Sequence, residues 1–218
     1  MIGRLFKLAI SFLVFSFSSV SAQSPSLKEH YETFSKRFHW VDQKSLSFKP
    51  NSVYLDASKE IASGEALTPD FFDLLPRSWR PPQGWENHIH FIYKPVIAFH
   101  WNQKTDAFVI HHGVEDGQIF SLLIFDRDGH LLVEKRAIAG ETGDEGCGHA
   151  WCSVVEDLDG DGQRDLWVRQ QSVCEGEEPS EIVDKAEGWV KNEFVEIKIN
   201  LEKKKEVLSK LCSGRDKN

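Results

Sequence analysis

The sequence predicts a mainly β protein, an antiparallel meander forming a β-sandwich or propeller-like body, with N-terminal helices ahead of it. Two observations carry this. Short β-rich runs bounded by Gly, Asn, Asp or Pro follow one another from about residue 86 onward. No 10–15-residue helical pattern separates them, so a doubly wound parallel sheet is not expected.

In chain order, Ser26 to Trp40 carries Leu27, Tyr31, Phe34 and Phe38 at three- to four-residue spacing, an amphipathic helix with a charged outer face. Thr68 as cap and Pro69 at the first helical position predict a short second helix containing Phe71, Phe72, Leu74 and Leu75, which Pro76 ends. Pro81, Pro82 and Gly84 then mark an irregular connection. The predicted strands are Ile89 to Tyr93, Val96 to Trp101, Ala107 to His112, Ile119 to Phe125, Leu131 to Ala137, Cys152 to Glu156, Leu166 to Gln171 and Trp189 to Ile199. Asn102 to Asp106, Asp126 to Gly129 and Lys191-Asn192 are short enough for hairpin turns. Leu201 to Leu211, rich in Lys and Glu, is read as a closing helix or, alternatively, an extension of the last strand, and Glu175 to Glu178 as an exposed acidic loop.

Residues 1–22 have the form of a signal peptide: Arg4 and Lys7 precede the apolar run Leu8 to Phe17, and Val20-Ser21-Ala22 offers small residues at −3 and −1. The division expected is therefore 1–22 signal peptide, 23–85 helical N-terminal segment and 86–218 β-rich domain. Loss of the two basic residues with the leader takes the net charge from −8 to −10. Such acidity argues against nucleic acid as a partner. No second apolar run approaches the ~20 residues of a membrane span, so stable membrane insertion is not expected. The expected location is periplasmic or secreted.

Cys147, Cys152, Cys174 and Cys212 follow the leader, and an even count in an exported chain predicts two disulfides. Four cysteines permit three pairings. A hairpin closed by Asp157 to Asp165 with Glu156 facing Leu166 places Cys147 near Cys174, which favours Cys147–Cys174 and Cys152–Cys212.

That hairpin loop holds the most specific motif in the chain. In Asp157-Leu158-Asp159-Gly160-Asp161-Gly162-Gln163-Arg164-Asp165, carboxylates stand at positions 1, 3, 5 and 9 and glycines at 4 and 6. Calcium takes six to eight hard oxygen ligands at about 2.3–2.6 Å, which alternate carboxylates on a tight loop, a main-chain carbonyl at Gln163 and water can supply. Mg²⁺ demands more rigid octahedral geometry. An EF-hand would carry Glu at position 12 and helices on either side; here position 12 is Val168, and Ser153-Val154-Val155 and Leu166-Trp167-Val168 favour strands.

The stretch from Val154 to Val168 resembles the calcium loop of FG-GAP and related VCBS repeats, the β-blade units of integrin-type propellers and of many exported bacterial proteins. The resemblance implies Asp157, Asp159, Asp161 and Asp165 as side-chain ligands and Gln163 as a main-chain ligand. Asp126-Arg127-Asp128-Gly129 is an approximate second copy without the third carboxylate or the position-9 Asp. In outline the chain is also similar to periplasmic lysozyme-inhibitor-like proteins, some of them immunity proteins, which join a β-body to one such loop.

An enzymatic reading rests on the histidines His88, His90, His100, His111, His112 and His149 and on Glu115, Asp116, Asp144 and Glu145. No close carboxylate completes a facial triad, no zincin motif is present, and Ser153 and Ser172 lie in no nucleophile elbow. Cys147 and Cys152 do not form the redox C-x-x-C spacing. The reading is thus a non-enzymatic, calcium-stabilised module that binds or inhibits a protein partner in the periplasm or outside the cell, through Gly140 to Gly148 and Glu175 to Ser180. The alternative is a periplasmic hydrolase acting on glycan or peptide through His and carboxylate residues.

Overall fold

The computed structural model describes residues 25–197 apart from 51, 56–58, 62, 87, 89–90, 115–116, 145, 175–176 and 178–179. The expected leader, the segment Leu201 to Leu211 and Cys212 lie outside the described residues.

The N-terminal helix α1 spans Leu27–Ser35. It starts where it does because Ser26 and Glu29 form a capping box: the Ser26 hydroxyl accepts from the Glu29 amide at 3.3 Å and Glu29 accepts from the Ser26 amide at 2.8 Å. Its buried face is Tyr31 and Phe34. The second predicted helix is a 3₁₀ segment, Pro69–Leu74, with Pro at its start, and a further 3₁₀ turn follows at Arg77–Trp79. Among the described residues no helix is long and apolar enough to cross a membrane.

Among the described residues strand accounts for 54% and helix for 13%, in a mostly antiparallel sheet that does not close into a barrel. Four short strands come first: β1 His39–Trp40, β2 Leu46–Lys49, β3 Ser52–Leu55 and β4 Lys59–Ile61. The meander follows: β5 Tyr93–His100, β6 Thr105–Val114, β7 Gly117–Asp126, β8 Leu131–Asp144, β9 Cys147–Glu156, β10 Asp165–Cys174, β11 Ser180–Val190 and β12 Glu193–Glu196. Each of these pairs antiparallel with the next. The segment read as helical before residue 86 therefore also contributes β1, parallel to β5, and the β2–β3–β4 hairpins.

β9 is where the sheet branches. β10 runs along its whole length on one side; on the other, Cys147 to Trp151 pairs with β8 while Ser153 to Val155 pairs with β2. β8 leaves room for β2 because its register against β7 jumps from Phe120↔Ala139 to Leu122↔Lys135, with Ala137 between at φ 54°. Extra residues on one strand of a pair bend it.

Two large apolar clusters result, beside a small third one of Val154, Trp167 and Ala186. One joins Val109, Leu122 and Ile124 of β6 and β7 to Leu46, Phe48, Val155, Leu166 and Trp189, so the sheet folds back over itself. The other packs the opposite faces of the same strands, Phe108, Ile110, Leu123 and Phe125, under Tyr31, Phe34, Phe71, Phe72 and Leu75. Burial on both faces explains the unbroken apolar run Leu122-Leu123-Ile124-Phe125, where a one-sided strand would alternate.

Strand boundaries differ from the sequence reading in several places. The break expected between Tyr93 and Val96 is absent: β5 passes through Pro95 with a register shift between Pro95 and Ile97, which tolerates the missing amide hydrogen. The run expected from Trp189 to Ile199 is two strands joined at Lys191-Asn192, both at positive φ (50° and 67°) as a tight hairpin turn demands. β8 and β9 extend well past the predicted Leu131 to Ala137 and Cys152 to Glu156.

Candidate metal centre

The loop Asp157 to Arg164 joins β9 to β10, with Glu156 paired to Asp165 at its base. Four backbone amides turn inward onto its carboxylates. Asp157 accepts from the amides of Gly160 (2.7 Å) and Gly162 (3.0 Å), Asp159 from that of Asp161 (3.0 Å) and Asp161 from that of Gln163 (2.7 Å). Gly160 and Gly162 have φ of 87° and 85°, the left-handed region that lets the chain curl so tightly.

One carboxylate oxygen each from Asp157, Asp159 and Asp165 lies within 4.8 Å of the others. Oxygens bound to one calcium ion at about 2.3–2.6 Å cannot stand more than about 4.6–5.2 Å apart, so this spacing suits a shared ion. Asp161 is outside that group, its second oxygen accepting from the Gln163 side-chain amide at 2.9 Å. Asp165 is buried while Asp157 and Asp159 are exposed. Burial raises its pKa, helped by the charges of Asp159 and Asp161, against the Leu158 amide that donates to it at 2.8 Å. A carboxyl held in this way gains from a neighbouring cation. Among the described residues no other His, Cys, Asp and Glu side chains form such a group of three.

The hairpin is fastened at both ends. Cys147 and Cys174 pair across β9 and β10 and are joined by a disulfide, ten paired positions from the loop and so roughly 30 Å away. Cys152 is fully buried, and the pairing expected for it with Cys212 lies outside the described residues. At the loop end, Arg164 donates to the carbonyls of Gln43 (2.6 Å), His100 (3.1 Å) and Lys44 (3.3 Å), with its guanidinium 5.2 Å from the centre of the Phe99 ring. Sequence reasoning missed this residue because its partners are main-chain atoms more than sixty positions away. Beside the loop lies a groove of about 670 Å³ lined by Lys44, Trp101, Asn102, Lys104 and Asp157 among others.

The approximate second copy at Asp126 is an ordinary turn. Asp126 accepts from the amides of Asp128 and His130, both at 2.9 Å, and from the His130 ring at 3.0 Å.

The histidines are dispersed. The His112 ring is buried against Trp79 and bonds Ser121 at 3.0 Å. His111 bonds Gln118 and Ser63, and His149 lies 3.4 Å from the Ser172 hydroxyl, which also donates to Glu181. His100 is held through Nδ1 by buried Asp106 at 2.7 Å. Ser153 is fully buried, and Glu115, Asp116 and Glu145 lie outside the described residues. Comparison with protein-family models, with curated proteins and with solved structures finds no match.

Proposed function

We propose that the chain is an exported, calcium-binding module that acts by occupying the surface of a periplasmic or extracellular macromolecule. The observation that carries the calcium reading is the convergence of Asp157, Asp159 and Asp165 at the closed end of a hairpin. Gln163, as position 7 of the loop, would add a carbonyl, and Asp161 a fourth charge. Cross-links support the binding reading: a β-hairpin with the Cys147–Cys174 bridge at one end and Arg164 at the other presents its strand ends with little conformational entropy left to lose on association. The candidate contact segments are Gly140 to Gly148 and Glu175 to Ser180.

The test uses chain lacking residues 1–22, purified free of metal. Calcium chloride is expected to raise its melting temperature, because the ion binds the folded state and not the unfolded one. Asp165→Asn should abolish that rise. A melting temperature indifferent to calcium sinks the calcium reading; a pull-down from envelope extract that recovers the same proteins after both contact segments are replaced sinks the binding reading.

One observation favours a second reading. His100, half exposed, is oriented through Nδ1 by buried Asp106, the arrangement by which hydrolases hold a general base. Turnover of a glycan or peptide by the purified protein, lost in His100→Gln, would establish it.

A further inference from the structure

The groove beside the acidic loop is built from three parts of the chain: the β5–β6 turn with Trp101, Asn102 and Lys104, the β1–β2 connection with Lys44, and the loop itself with Asp157 and Arg164. Its volume of about 670 Å³ lies in the range of sites for small organic ligands. We propose that it takes a polyhydroxylated carboxylate, the chemistry of an acidic sugar, and takes it only when the loop holds calcium; the proposal rests on the calcium reading above.

Charge is the first argument. Lys44 and Lys104 are exposed on the walls, and no ion pair is formed by either among the described residues. Arg164 spends three of its five N–H donors on carbonyls and keeps its charge, so the two ammonium groups stand beside a guanidinium already fixed in the wall. Asp157 lines the groove and also belongs to the acidic group. With that group uncompensated, an anion in the groove faces repelling carboxylates; with a divalent cation among them, the repulsion is offset and the lysines dominate.

Unmet hydrogen-bonding capacity is the second argument, and it does not depend on the acidic loop. Trp101 lines the groove yet is only 2% exposed, and its indole N–H has no partner among the described residues. Buried donors without acceptors are destabilising, and because this N–H is closed to solvent a ligand oxygen reaches it only if the ring turns toward the groove. The Asn102 carbonyl oxygen is spent on the amides of Lys104 and Thr105, which leaves its NH₂ group as a donor for hydroxyl oxygens.

Preorganisation is the third. Arg164, inside the loop, bonds the carbonyls of Lys44 and of His100, the residue before Trp101, so one side chain ties the acidic loop to both other walls. Loop geometry and groove geometry therefore change together, and coupling between the two ligands must be reciprocal.

Calorimetric titration of the metal-free full mature chain tests this, first with calcium chloride alone, then with galacturonate or trigalacturonate in calcium or in EDTA, with maltotriose as neutral control. The two uronates separate a free sugar acid from a residue within a polymer. Expected are binding of one or both uronates in calcium, none in EDTA and none of maltotriose. The Lys44→Gln/Lys104→Gln variant should weaken uronate binding at least about tenfold while calcium binding is unchanged. If calcium alone does not bind, the loop reading falls and the coupled site with it. If calcium binds but neither uronate does, or the double variant binds them as well as wild type, only the groove proposal is overturned.

Discussion

Tyr31 of α1 donates its hydroxyl hydrogen to Asp106 of β6 at 2.7 Å, across 75 residues of sequence. Asp106 is 3% exposed, and its other oxygen receives the His100 ring at 2.7 Å and faces Arg127 at 3.5 Å. A buried carboxylate is tolerated only when so surrounded, and this one fixes the helical layer to the sheet.

Removing one donor from that network tests its weight. Tyr31→Phe keeps the ring contacts with Phe108 and Phe125 but leaves Asp106 with His100 and Arg127, so the loss is expected to be about 1–2 kcal/mol. Burial, and then the bond to Asp106, pushes the Tyr31 hydroxyl well above its usual pKa. A raised folded pKa gives stability that is complete below the unfolded value, near 10, and lost as pH rises beyond it. Urea unfolding above pH 10 should therefore show an alkaline loss in wild type that Tyr31→Phe reduces. Equal alkaline loss in both proteins would contradict it.

His112 makes the acid-side counterpart. Its pKa is lowered from 6.5 to about 4, first by burial and then by the charge of Arg136, with His111 adding to the repulsion. Below pH 6.5 the unfolded chain takes up a proton that the folded chain refuses until about pH 4. Stability from this group is thus present above 6.5 and falls through that window, by on the order of 3 kcal/mol. His112→Gln should flatten the dependence between those limits by about one proton, read from urea midpoints at constant m. A variant whose slope matches wild type would show that His112 titrates normally.

Legibility in the sequence followed the range of the forces involved. The amphipathic helix from Leu27, Tyr31 and Phe34, the turn at Lys191-Asn192 and the register that sets Cys147 against Cys174 are local, and residue type alone announced them. The register was one position off, since Glu156 faces Asp165 and not Leu166: the ninth loop residue is already the first of β10. β11 went largely unread because Glu181, Asp184, Lys185 and Glu187 interrupt its apolar pattern. Two of those charges are held by other strands, Asp184 bidentately by Arg169 at 2.7 and 2.9 Å and Glu187 by Lys135. β2 was missed for a similar reason, four residues whose strand character comes from lying against β9. In the loop the carboxylates were legible, whereas the closeness of Asp157, Asp159 and Asp165 to one another, and the anchoring of Arg164, arise from tertiary geometry.

Arg164→Lys separates what that anchor does for the fold from what it does for the loop. The substitution keeps the charge but replaces a planar fork with one nitrogen, which cannot reach the carbonyls of Gln43, Lys44 and His100 together. Losing two such bonds should cost about 2 kcal/mol in EDTA, where only the packing of the loop against the β1–β2 connection is at stake. In calcium the same variant should lose more, because the ion stabilises only a loop whose Asp157, Asp159 and Asp165 oxygens already stand within 4.8 Å. A looser loop has to be ordered by the ion itself, and that cost appears as weaker calcium binding. The measurement is a pair of urea unfolding curves for each protein, one in calcium and one in EDTA. A calcium-dependent difference identifies Arg164 as the residue that holds the loop ready for its ion. Equal losses in the two conditions would mean that Arg164 fastens the fold and has no part in the metal centre.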